Sequence, residues 1–263
     1  MLNQLTRLIR AMKHLEYAAE IPLCFSAFRS PWRMLLAYLG WPTRYPVLCQ
    51  TKTGVEILCS DRYDITTAWI IFLRDEYSLA ATDRVIIDCG ANIGVFSAFA
   101  ASSSPQARII ALEPYPSTFR ALLANIQRNG LSSRVSCLRM AISANRGDAY
   151  MDNAPGLPTQ LRHMTETRDG AVQVEALTLQ DLLDTQGLPQ ADLLKMDIEG
   201  SEHGVLLGCD RSVLSRFRRI SLEYHHDGPK QPLFRHIQDA GFRLMRDRVL
   251  GKDYGVANFQ RRS

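Results

Sequence analysis

The chain has no Gly-Lys-Ser or Gly-Lys-Thr phosphate loop, which excludes a P-loop nucleotidase. It also lacks a Gly-x-Gly-x-x-Gly turn, whose middle glycine lets a backbone approach a dinucleotide pyrophosphate. No Cys-x-x-Cys pair occurs among the six cysteines, Cys24, Cys49, Cys59, Cys89, Cys137 and Cys209. Scattered in apolar runs, they read as reduced core thiols of a cytoplasmic protein, not as a zinc site or a disulfide framework. The uncharged runs Ile21 to Phe28 and Met34 to Thr43 are too short to cross a bilayer. A secretory signal, internal repeats and low-complexity tracts are absent from the pattern. The net charge of +4 is too small to mark a nucleic-acid binder. No Asn-Pro-Pro-Tyr-type base-binding motif or aromatic-rich basic strip is present either. What remains is a 263-residue chain, 46% hydrophobic, able to bury one large α/β core with an appendage.

The most informative run is Lys195-Met196-Asp197-Ile198-Glu199-Gly200-Ser201-Glu202. It follows an apolar strand, Ala191 to Leu194, and precedes an amphipathic helix expected over Ser201 to Phe217. Three carboxylates therefore crowd one strand-to-helix turn, at the sheet edge where α/β proteins bind ligands. A capping role for Ser201, with the glutamates favouring the helix N-terminus, accounts for Glu199 and Glu202. It does not account for Asp197, at the end of a strand apolar enough to be buried. A second run, Arg84 to Cys89, reads as a buried parallel strand ending in Asp88. Gly90-Ala91-Asn92-Ile93-Gly94 and an apolar helix, Val95 to Ala101, follow. The next strand, Arg108 to Leu112, ends in Glu113, placed to take ribose hydroxyls. With Asn92 at the middle position, the turn suits an adenosine ligand without phosphates. Asp88 is expected to face a cationic end of that ligand.

These motifs resemble the FkbM family of S-adenosylmethionine-dependent methyltransferases. The matching pieces are Val85 to Gly94, Ala111-Leu112-Glu113-Pro114, Met140-Ala141-Ile142-Ser143 and Leu194 to Glu202, in the family's order over roughly residues 45 to 245. The resemblance implies a Rossmann-like class I methyltransferase fold. That fold is a seven-stranded, mostly parallel sheet with helices on both faces and an antiparallel last strand. It further implies S-adenosylmethionine as cofactor and a small-molecule, sugar or glycan hydroxyl as acceptor. The expected donor residues are Asp88, Gly90, Asn92, Gly94, Glu113, Ala141 and Asp197, with Glu199 and Glu202 on the substrate side. A nicotinamide-dependent oxidoreductase and a non-catalytic protein retaining the fold are the alternatives.

A strand over Arg219 to Tyr224 runs into His225-His226. Alternation puts Glu223 and His225 on one face. Methyl transfer to a hydroxyl needs a proton acceptor, so His225 is the first expectation, with Glu223 orienting it or sharing the role and Asp197 facing the methyl group. The carboxylates and His225 also suit a divalent metal, although no spacing demands one and none is assigned.

Punctuation divides the chain into residues 1–82, a helical and hairpin extension, and residues 83–263, the methyltransferase domain. The extension carries a hairpin around Thr51 to Gly54 and a helix capped by Asp64 that runs to about Leu79. Leu5, Leu8, Ile9, Met12 and Leu15 recur at helical spacing between basic residues, a pattern that fits a membrane surface or the protein's own core. A third core strand is expected over Val135 to Ile142, and a mobile loop over Tyr150 to Gly170.

Overall fold

The computed structural model describes residues 19–154, 162–226 and 228–262. The extension comprises α1 (Glu20–Ala27), α2 (Pro31–Tyr38), β1 (Val47–Gln50), β2 (Glu56–Cys59) and α3 (Arg62–Leu73). Alternating units follow: β3 (Val85–Cys89), α4 (Val95–Ser103), β4 (Arg108–Leu112), α5 (Pro116–Arg128) and β5 (Val135–Leu138). Three short strands come next, β6 (Ala141–Ile142), β7 (Gly147–Met151) and β8 (Val172–Leu177). The chain then runs through α6 (Leu179–Thr185), β9 (Ala191–Met196), α7 (Glu202–Leu207) and α8 (Arg211–Leu214). It ends with β10 (Phe217–Tyr224), α9 (Lys230–Asp239), β11 (Phe242–Gly251) and β12 (Tyr254–Arg261).

The main sheet has seven strands in the order β11-β12-β10-β9-β3-β4-β5. β10, β9, β3, β4 and β5 pair in parallel; β12 runs antiparallel to both neighbours. This is the Rossmann-like class I arrangement, and the order reverses between β3 and β9. Alternation sorts the strand side chains. Ile86, Ile109 and Leu193 face one apolar cluster with α4 and α5, and Ile87, Ile110 and Leu194 face another with α6 to α9. Helices thus cover both faces, which is why the strands read as continuous apolar runs.

The first cluster continues into the extension, through Phe28, Met34, Trp69 and Ile71. The β1–β2 hairpin does not join the main sheet. Its edge is instead satisfied by α5: Asn125 Oδ1 accepts from Leu58 N, and the Asn129 amide bonds both Glu56 N and Glu56 O. A buried edge needs such partners.

Several expectations are corrected. Asp61, not Asp64, is the N-cap of α3; Asp64 lies one turn in and accepts from Ser60 N, and the helix stops at Leu73. The expected strand Val135 to Ile142 is split. β5 stays in the main sheet, while β6 pairs with β8 and β8 with β7 in a separate sheet of three. The helix expected over Ser201 to Phe217 is two short helices broken at Gly208-Cys209-Asp210, and Phe217 already belongs to β10. Part of the expected loop Tyr150 to Gly170 is ordered, since Met151 bridges Met164; residues 155–161 lie outside the described residues. The helical spacing over Leu5 to Leu15 also lies outside them.

At the switch point β3 and β9 are joined by a buried ion pair. Lys195 Nζ lies 3.1 Å from Asp88 Oδ1, with the two side chains 4% and 0% exposed. Ser97 Oγ donates to Asp88 Oδ2 at 2.6 Å. Removing one member of such a pair strands a buried charge. Lys195→Met is expected to destabilise the fold by about 3–5 kcal/mol. The double variant Asp88→Asn with Lys195→Met should recover much of that loss in urea denaturation. Equal losses in the single and double variants would contradict the pair's role.

Candidate active site

The turn after β3 is built around one close approach. Gly90 has φ +78°, and a Cβ there would sit 1.7 Å from the Asp197 carbonyl oxygen, so no other residue fits. Lys195 Nζ donates to the Gly90 carbonyl at 2.7 Å and lies 3.6 Å from the Asp197 carboxylate. Asn92 also sits at positive φ, a conformation Asn tolerates better than most side-chain-bearing residues. The whole turn is thus locked to the end of β9.

A cleft opens beside it, lined by Gly90, Asn92, Glu113, Ala141, Asp197 and Glu199, with Leu112, Met140, Ile142, Met151, Met164 and Arg162 completing the wall. Glu113 is anchored at the end of β4: Asn92 N donates to Oε2 at 3.0 Å and Tyr115 N to Oε1 at 2.9 Å. Each oxygen keeps a second lone pair for a ribose hydroxyl. Burial raises the Glu113 carboxyl to about 7, against the lowering effect of those two amides. Asn92 Oδ1 is buried without a hydrogen-bond partner, a polar group that a ligand amine or hydroxyl would satisfy. Carboxylates, an orphaned acceptor and an apolar slot fit a cationic, phosphate-free adenosine ligand.

Three expected ligand residues do not line the cleft, and the structure corrects their placement. Asp88 lies under the floor, fully buried against Lys195. Gly94 packs against Leu122 and starts α4. Glu202 is fully buried and ties down the turn ahead of its helix: its carboxylate accepts from Ile198 N at 2.7 Å and Gly200 N at 3.0 Å. Ser201 occupies the N-cap position but makes no capping bond with its side chain.

A second cavity meets the first along Gly90, Asn92, Asp197 and Glu199. Its remaining wall comes from Thr67, Ile70 and Ile71 of α3, Tyr77, Val95 and Phe96, and its floor includes Glu223. Glu223 accepts from Tyr254 Oη at 2.8 Å and from Tyr77 Oη at 3.1 Å. His225 closes the group. Its Nδ1 lies 3.1 Å from Glu202 Oε1, and its Nε2 lies 3.5 Å from Glu199 and 3.9 Å from Glu223. Burial opposes charge on His225, but the Glu202 hydrogen bond and the surrounding carboxylates outweigh it and push the imidazole up to about 10. Burial, and then the charge of Asp197, raise both Glu199 and Glu223; His225 opposes this. Glu199 also holds a strained backbone at φ +54°. Asp197, Glu223 and His225 bring ligand-type atoms within 4.8 Å of one another. A metal there would have to displace the proton that the surrounding acids hold on His225, because imidazole coordinates only when neutral.

Tyr77, Tyr254, Lys195 and the α3 wall were not singled out by the sequence. Only Lys195 left a signal, a lone cation at the end of the apolar pair Leu193-Leu194.

A family model, the methyltransferase FkbM domain, matches residues 88–244. The chain belongs to the FkbM methyltransferase family. This FkbM-family protein is similar to methyltransferase sdnD of Sordaria araneosa, 34% identical over 212 residues covering 68% of this chain and 82% of the relative. It is also similar to 31-O-demethyl-FK506 methyltransferase FkbM of Streptomyces tacrolimicus, at 27% identity over 66% of this chain and 78% of the relative. Hexuronic acid methyltransferase AglP of Haloferax volcanii is 29% identical over 52% of this chain and 54% of the relative. The chain is an S-adenosylmethionine-dependent methyltransferase, and the oxidoreductase and non-catalytic alternatives fall with that membership.

The raised Glu113 carboxyl has a pH consequence. Its folded value of about 7 exceeds its ordinary value of 4.5, so the folded protein binds the proton more tightly than the unfolded chain. Without ligand, Glu113 therefore costs stability as pH rises from about 4.5 to 7, and the cost is complete above 7. Ribose hydroxyls donate best to the ionised carboxylate. S-adenosylhomocysteine affinity is expected to rise between pH 6 and 8 in calorimetry, and Glu113→Gln should flatten that rise while weakening binding at pH 8 about tenfold or more. A pH-independent affinity in the native protein would overturn the assignment.

Proposed function

We propose that this protein transfers a methyl group to a hydroxyl of a neutral acceptor seated in the α3-walled cavity, with Glu223 taking the hydroxyl proton. One observation carries the reading: two cavities meet at Asp197 and Glu199, and Glu223 stands on one side only. S-adenosylmethionine, when bound, supplies an activated methyl on a sulfonium that departs as a neutral thioether. Gly90, Asn92, Glu113, Ala141 and Asp197 hold it on the cleft side. Asp197 presents negative charge at the junction, where a cation is stabilised, and Glu199 stands beside it. The names of the FK506 and hexuronic acid enzymes support a hydroxyl acceptor on a small molecule or sugar.

The proton acceptor moves from His225 to Glu223 for a physical reason. An imidazole already held protonated by four acids cannot accept a second proton, whereas a carboxyl raised by burial is suited to do so near neutral pH. Tyr77 and Tyr254 aim that carboxylate, and His225 fixes the turn carrying Glu199. The acids of the junction also oppose an anionic acceptor, so this site differs in charge preference from one built for a uronic acid.

The extension, residues 1–82, supplies the acceptor wall through α3, and residues 83–263 carry the donor chemistry. Cytoplasmic residence fits the six free cysteines. No helix among the described residues is long and apolar enough to cross a membrane.

The reading is tested by S-adenosylhomocysteine release over a panel of neutral glycosides, uronates and small-molecule alcohols. Neutral hydroxyl acceptors should turn over best; turnover of amines or uronates alone would sink it. With an acceptor in hand, Ile70→Trp should fill the cavity and cut kcat/KM at least tenfold with donor affinity unchanged. Glu223→Gln should lower kcat by about 10²-fold or more. A full rate in Glu223→Gln, with loss in His225→Ala, would return the base to the histidine.

A further inference from the structure

Five of the eleven exposed large apolar residues among those described lie on α1, α2 and the turn after α2. Trp32 is 64% exposed and Trp41 59%, and Ile21, Leu23 and Leu36 are exposed beside them on α1 and α2. Trp32, Leu36 and Trp41 are brought together around α2. Phe25 of α1 packs edge-on against Trp32 at 4.9 Å, Leu36 lies one turn beyond Trp32 on the same helix face, and Trp41 N bonds the Leu36 carbonyl. Scattered single apolar residues need no explanation, but a joined group with two large aromatic rings does.

The charge of the stretch that carries this surface has one sign. From Ile21 to Val55 the sequence has no Asp or Glu, yet it has Arg29, Arg33, Arg44 and Lys52. All four are exposed. The whole chain has 31 basic against 27 acidic residues, so a stretch with four bases and no acids is a local departure from a nearly balanced background. Glu20, the acid just before it, is turned inward, accepting from Trp69 Nε1 and pairing with Arg74. Tryptophans with apolar neighbours, rimmed by cations and cleared of acids, complement an anionic lipid surface: rings enter the headgroup region while cations meet phosphates.

We propose that the exposed α1–α2 face docks this protein peripherally on anionic membranes. Neither helix can span a bilayer, each having only eight residues, so the contact is interfacial. The docking face also backs the active site. Tyr38 of α2 stacks on Trp69 of α3 at 4.3 Å, and the other side of α3 lines the acceptor cavity through Thr67, Ile70 and Ile71. A docked protein therefore holds its acceptor wall next to the lipid surface. This docking stands independently of the acceptor chemistry above.

The tryptophans themselves report the contact. The chain has three, and Trp69 is buried at 1% exposure, so a change in fluorescence on docking comes from Trp32 and Trp41. Full-length protein is titrated with vesicles of phosphatidylcholine alone and with vesicles containing about one-third phosphatidylglycerol. Expected are a blue shift and co-sedimentation with the anionic vesicles only, both weakened at high salt. Trp32→Ser with Trp41→Ser should lose the co-sedimentation. Arg33→Glu with Arg44→Glu should weaken it about tenfold or more, while S-adenosylhomocysteine affinity stays unchanged in both variants. The proposal is overturned if native protein ignores anionic vesicles, or if both double variants bind them as well as native protein does. It is equally overturned if neutralising Arg7, Arg10 and Lys13 alone abolishes binding, which assigns docking to the preceding segment. Concentration-dependent dimerisation lost in Trp32→Ser, without vesicle binding, would assign the face to a second copy.

Discussion

Lys195 is the constraint on which the rest of the site depends. A lysine at the centre of a parallel sheet is tolerated only where its charge is answered on every side. Here Asp88 answers it from the neighbouring strand, the Gly90 carbonyl from the turn above and Asp197 from the end of its own strand. The three contacts span the place where the strand order reverses. They fix the height of the glycine turn relative to β9, and so the distance between donor cleft and acid cluster. The cation also offsets part of the repulsion among the carboxylates above it. Burial lowers the Lys195 pKa and the Asp88 and Asp197 charges raise it; the sum lies above the ordinary lysine range, so the charge is permanent.

The acid cluster follows the same logic one layer higher. Glu202 is spent on the turn it terminates, with both oxygens bonded to that turn's amides, and it still holds His225. His225 in turn is, among the described residues, the cation paired with Glu199 and Glu223. The arrangement keeps two raised carboxylates next to one fixed imidazolium, which is a better proton-accepting assembly than a neutral histidine among acids. Glu199 carries backbone strain as well, at a left-handed position that Gly200 follows with another. Strain at that junction is sustained because the Glu202 bonds over-determine the turn.

Much of this was legible in the sequence. The strands with Asp88, Glu113 and Asp197 at their ends were readable because buried parallel strands are short apolar runs, and a charge at the end of one stands out. The strand number and the antiparallel last strand followed from the family resemblance. The correct faces for Glu223 and His225 followed from alternation alone. What could not be read was which acids look inward. Asp88, Glu113, Asp197, Glu199 and Glu202 are alike as letters, yet two are entombed and three line a cavity. That division is decided by partners distant in sequence: Lys195 for Asp88, and His225 for Glu202. Tyr77 and Tyr254 were equally hidden, since each meets Glu223 only after the sheet forms, from residues 146 and 31 positions away. The broken helix after Ser201 and the split strand at Met140 have a common cause. In both, one periodic stretch serves two packing partners, and tertiary contacts override the local pattern.

The coupling between the extension and the catalytic residues follows from Tyr77. It lies just beyond α3, its ring packs on Phe96 of α4, and its hydroxyl reaches Glu223 on β10. Beside it, Glu76 pairs with Arg248 on β11, and Asp83 with Arg219 on β10. The segment after α3 is thus tied to β10 and β11. Of these contacts, the Tyr77 hydroxyl is the one that bonds Glu223 directly. An extension that only covered the core would need no polar bond to a carboxylate at the reaction junction. The existence of that bond makes the position of the extension part of the active-site geometry.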